Sequence, residues 1–73
     1  MINRKFTIEI ERENDGRWLA EVLELHGVMA YGKTREEAQA RVEALALRVL
    51  AEELENTTSS KVSSFSNISF SHP

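Results

Sequence analysis

The 73-residue sequence contains no cysteine, which excludes disulfides, thiolate-held metals and thiol nucleophiles. Its single proline is the last residue, Pro73, so no element is interrupted from within by one. Glycine occurs only at positions 16, 27 and 32. No phosphate-cradling loop can be written from these three, and they read as backbone solutions to tight bends. No apolar run approaches the roughly 18 residues of a membrane span. The opening Met-Ile-Asn-Arg-Lys-Phe lacks the greasy stretch of a secretion signal, so the expected location is the cytoplasm. Basic charge is neither dominant nor clustered. Nine Lys/Arg stand against twelve Asp/Glu, a net charge of −3, and no direct nucleic-acid binding is expected from that balance.

Residues of the AVILMFWYC set make up 41% of the chain, and seven of them are alanines. A chain this short buries only about 60% of its unfolded surface, enough for one thin core and one domain. Its composition breaks near Asn56, because all seven serines lie between Ser59 and Ser71. Residues 5–56 are read as the body, 57–64 as a linker and 65–71 as a short C-terminal edge strand, with Ile68 and Phe70 on one side.

In the body, Phe6, Ile8 and Ile10 alternate with Thr7, Glu9 and Glu11, the mark of a half-buried strand. Trp18, Ala20 and Val22 repeat the pattern after Asn14-Asp15-Gly16. A two-residue loop would set Ile10 against Glu21. A three-residue loop sets Ile10 against Ala20 and Ile8 against Val22, with Gly16 left-handed, and is preferred. The same register brings Arg12 beside Trp18, within reach of a cation–π contact. Strand three, about Val28 to Lys33, is apolar on both faces, so alternation does not say which side meets the core.

The helix start is the clearest local signal. Thr34 and Glu37 have the spacing of a capping box, with Thr34 bonding the helix amides and Glu37 reaching back to the Thr34 amide. From Arg35 to about Glu55, Ala38, Val42, Leu45 and Val49 recur at helical spacing. The expected class is α+β with order β-β-β-α-β, an antiparallel sheet and one helix packed on one face. Apolar residues exceed what that core needs. The uncovered sheet face keeps Leu19, Leu23 and either Val28 with Ala30 or Met29 with Tyr31, while Leu47, Leu50 and Leu54 widen the helix stripe. Leu19, Leu23, Met29, Tyr31, Leu47, Leu50 and Leu54 are the candidate partner or oligomer surface. Gly16, Gly27, Gly32, Thr34 and Glu37 are the candidate structural positions.

Catalytic chemistry finds little footing. Glu9, Glu11, Glu21 and Glu24 are read on strands and Glu36, Glu37, Glu43, Glu52, Glu53 and Glu55 on the helix, spaced as solvated faces rather than a metal-bridging cluster. His26 and His72 are too far apart in sequence to suggest a ligand pair, and His26 falls in the corner Leu25-His26-Gly27. All serines lie in the tail and Thr34 is engaged as a cap, so no nucleophile sits beside a base. No enzyme, metal or cofactor is expected.

Read in order, Phe6-Thr7-Ile8-Glu9-Ile10-Glu11, Asp15-Gly16-Arg17-Trp18, Ala20-Glu21-Val22, Leu25-His26-Gly27-Val28 and Gly32-Lys33-Thr34-Arg35-Glu36-Glu37-Ala38 resemble the HicB family of antitoxins. The similarity covers roughly residues 5–50. It implies a truncated ribonuclease-H-like domain that binds a small mRNA-cleaving toxin of the HicA type and silences it by covering its surface. Many family members add a DNA-binding segment after this domain. None is visible in these 73 residues, so operator binding is not expected of them. His26 stands where the family usually has proline. The second reading is a stand-alone homo-oligomer, a dimer or tetramer, that keeps the fold without a toxin.

Overall fold

The structure, a computed structural model, describes residues 2–56 and 65–72. Three strands, β1 (Ile2–Arg12), β2 (Trp18–Val22) and β3 (Met29–Gly32), precede helix α1 (Arg35–Asn56), and β4 (Phe65–Ser71) follows it. They form one four-stranded sheet in the order β3-β2-β1-β4, with the helix on one face. The expected linker, 57–64, lies outside the described residues.

The first hairpin has the register that alternation demands: Ile8 pairs with Val22, Ile10 with Ala20 and Arg12 with Trp18. Gly16 sits at φ 92° and donates its N–H to the Glu13 carbonyl at 3.0 Å, while the Glu13 N–H donates to Arg17 at 2.7 Å. This is a three-residue turn closed by a left-handed glycine, which matches the right-handed strand twist. Asp15 ties the turn further, accepting from the Arg17 N–H at 3.1 Å and from its Nε at 2.7 Å.

The sheet is mixed, a correction to the antiparallel expectation: β1–β2 and β2–β3 are antiparallel, but β4 runs parallel to β1. The cause lies in the connection. The helix carries the chain back to the end where β3 began, so β4 runs in the direction of β3, which β1 shares. Within β4, Phe70 pairs with Phe6 and stacks on it with ring centroids 5.6 Å apart, and Ile68 and Phe70 pack against the core.

Phe6, Ile8, Ala20, Val22, Leu25 and Val28 meet Ala38, Val42, Ala46 and Leu50 in a single buried cluster. The register settles strand three: Ala30 pairs with Ala20 and Gly32 with Trp18, so both face the helix, and Met29 and Tyr31 point outward. Gly32 is not at a bend, as the sequence had suggested. A Cβ there would stand 2.9 Å from both the Ala38 Cα and the Glu37 carbonyl carbon, so its missing side chain is what lets the first helical turn settle on the sheet. Gly27, at φ 80°, does turn the corner after Leu25 and the exposed His26.

Thr34 caps the helix through Oγ1, which accepts the Glu37 N–H at 3.0 Å. Glu37 reaches one residue further back than a capping box requires, accepting from the Lys33 N–H at 2.9 Å. Leu50 is a core residue, 1% exposed, and leaves the candidate surface. At 3.6 residues per turn it lies about 80° from Val42, still on the sheet side, whereas Leu47 lies about 140° away. Among the described residues no helix is long and apolar enough to cross a membrane.

Candidate functional site

The pleat sorts the uncovered face of the sheet into bands. On the β1 side stand the carboxylates Glu9 and Glu11. Across the register, Glu11 pairs with Leu19 and Leu19 with Tyr31, while Glu9 pairs with Glu21 and Glu21 with Met29. Leu23, just past β2, continues the outward alternation, and its N–H donates to the Thr7 carbonyl at 3.0 Å. Leu23, Met29 and Tyr31 are 49%, 43% and 39% exposed, and Leu19 is half-buried between its neighbours. The outer face is therefore an apolar patch toward β3, set with Glu21 and bordered by acids on β1. Beyond them the β4 register adds Ser69 opposite Lys5 and Ser71 opposite Thr7, a polar margin that carries the Lys5 cation.

Glu24 stands in the turn rather than on a strand, another correction. Its carboxylate accepts the Thr7 N–H at 2.7 Å, and that bond holds its pKa below the ordinary glutamate value. It thus takes up an amide where the β1–β2 ladder ends. Asp15 is likewise held low, first by the Arg17 N–H and then by the Arg17 side chain.

At the β3 edge, Arg17, Tyr31, Gly32, Lys33, Glu37 and Arg41 line an open depression of about 330 Å³. Its charges are already employed. The Arg17 guanidinium lies 4.1 Å from the centre of the Tyr31 ring and binds Asp15. Arg41 donates to the Tyr31 carbonyl at 3.1 Å and lies 3.4 Å from Glu37. These contacts fasten the hairpin and the helix start to the edge strand, and they shield a carbonyl that another strand would otherwise find. Arg12 sits 5.8 Å from the centre of the Trp18 ring, as the hairpin register requires.

Among the described residues no group of three His, Cys, Asp or Glu is placed to hold a metal. The candidate surface residues divide into two sets on opposite sides of the molecule: Leu19, Leu23, Met29 and Tyr31 on the bare sheet face, and Leu47 and Leu54, 46% and 37% exposed, on the helix. The Arg17–Tyr31 stack and the Arg41–Tyr31 bond were not anticipated. Both depend on which face Tyr31 takes, and strand three's two-sided apolarity hides that. No protein-family model, no curated protein and no solved structure matches the chain.

Proposed function

We propose that this chain is a non-catalytic protein-binding domain, an antitoxin of the HicB type that neutralises a small, basic, mRNA-cleaving HicA-type toxin by covering its RNA-binding surface. The observation that carries the reading is the outer sheet face, where Leu19, Tyr31, Met29 and Leu23 lie uncovered beside Glu9, Glu11 and Glu21. Such a face suits a cationic partner. Its acids steer the encounter and its apolar residues supply contact that lasts.

The ordered motif resemblance supplies the partner's identity, and the strand order with its single covering helix supports reading the domain as the truncated ribonuclease-H-like form. The reading places the protein where such toxins act, in the cytoplasm.

The test is an RNA-cleavage assay with a HicA-type protein from the neighbouring reading frame. An equimolar amount of this chain should suppress cleavage, and the double variant Leu19→Ser, Leu23→Ser should restore it. A toxin that stays active and unbound at micromolar concentrations of both proteins overturns the reading.

A further inference from the structure

The helix carries a second apolar stripe that the sheet never touches. Ala44, Leu47, Ala51 and Leu54 follow one another at spacings of three, four and three residues, and all four are exposed. That alternation of three and four is the spacing of a helix–helix seam. At about 100° per residue the stripe lies on the far side of the helix from Val42 and Val49, which face the sheet.

The order of sizes along the stripe selects the occupant. When two copies of this helix lie antiparallel, Leu47 of each falls opposite Ala51 of the other, and Leu54 opposite Ala44. Every level then pairs one large side chain with one small, the arrangement that fills space as helices close. A parallel pair would set leucine on leucine and alanine on alanine, leaving a void at every second level. At the flanks Glu55 of each copy falls beside Arg41 of the other, a further acceptor for a guanidinium that already bonds the Tyr31 carbonyl and faces Glu37, while Arg48 meets its own counterpart near the two-fold axis, a like-charge contact that weakens the pair.

We propose that the outer face of α1 is a homodimer interface, with two copies joined by an antiparallel helix pair along Ala44, Leu47, Ala51 and Leu54. The seam and the bare sheet face lie on opposite sides of the molecule, so the dimer leaves the bare sheet face of each copy open. The inference goes beyond the toxin-binding reading and does not depend on it.

Sedimentation of the full chain over a range of concentrations tests it. The wild type sediments as a dimer. Leu47→Ser with Leu54→Ser weakens the dimer about a hundredfold while the far-ultraviolet circular dichroism stays unchanged. Leu19→Ser leaves the dimer intact, and Arg48→Gln tightens it. Orientation is read with a short bis-maleimide, since the chain has no native cysteine to interfere. Arg48→Cys links two copies across the two-fold axis, whereas Arg41→Cys does not link to itself. A wild type that stays monomeric at the highest concentration reached, or a dimer indifferent to the double leucine variant, overturns the proposal. Efficient linking through Arg41→Cys overturns the antiparallel arrangement.

Discussion

At Gly32 the chain has no room for one more carbon. The start of α1 lies so close that a Cβ would press on the backbone of Glu37 and Ala38, which cannot swing aside as a flexible side chain could. Gly32→Ala should therefore lower stability by about 1–3 kcal/mol, the usual cost of overpacking a filled site, and a urea titration reads it directly. Gly16 offers the contrast, since a Cβ there meets nothing within 4 Å and the obstacle is φ alone. Gly16→Ala should cost about 1–2 kcal/mol through left-handed strain, and Gly16→Asn less. Glu24 yields a prediction in pH. Its folded-state pKa is held below the ordinary glutamate value by the Thr7 N–H, so its contribution is present above that ordinary value and lost as pH falls through the depressed one. Unfolding free energy measured between about pH 6 and about pH 3 should fall less steeply in Glu24→Gln than in the wild type. An identical slope would mean that the bond to Thr7 does not outlast solvent competition.

Each element shows why some of this was legible in the sequence and some was not. The β1–β2 hairpin was, register included, because its two strands alternate cleanly and only one loop length brings their apolar faces together. Strand three was not, because Val28, Met29, Ala30 and Tyr31 are apolar in succession and nothing local ranks the two faces. Gly32 decides the matter only in three dimensions, where the helix must come close. The alternation of Ile68 and Phe70 marked β4 and its inward side, but a period of two has no arrow, so its parallel pairing with β1 had to come from the path of the helix. On α1 the three leucines at 47, 50 and 54 look equivalent in the sequence, yet Leu50 is in the core and its neighbours are not. Truncation separates them. Leu50→Ala should cost about 2–5 kcal/mol as a core cavity, whereas Leu54→Ala, measured in dilute solution, should stay within about 0.5 kcal/mol.

The whole molecule is a two-layer body with a covered sheet face, a bare one and a helix whose back is greasy. Burial inside one chain satisfies only the first. The bare sheet face separates its two kinds of side chain across the strands, acids on β1 and apolar groups on β2 and β3, with Glu21 between them. That separation predicts a division of labour in the kinetics of binding a basic protein partner. Replacing Glu9 and Glu11 with Gln removes charge from the border of the patch but no packing, so the association rate should drop and lose much of its dependence on ionic strength, with dissociation little changed. Replacing Leu19 and Met29 with Ser removes contact but no charge, so dissociation should quicken by about tenfold or more while association holds. Stopped-flow binding at low and high salt measures both limbs. If the acidic variants alter only dissociation, the carboxylates form close ion pairs within the contact instead of steering from its margin.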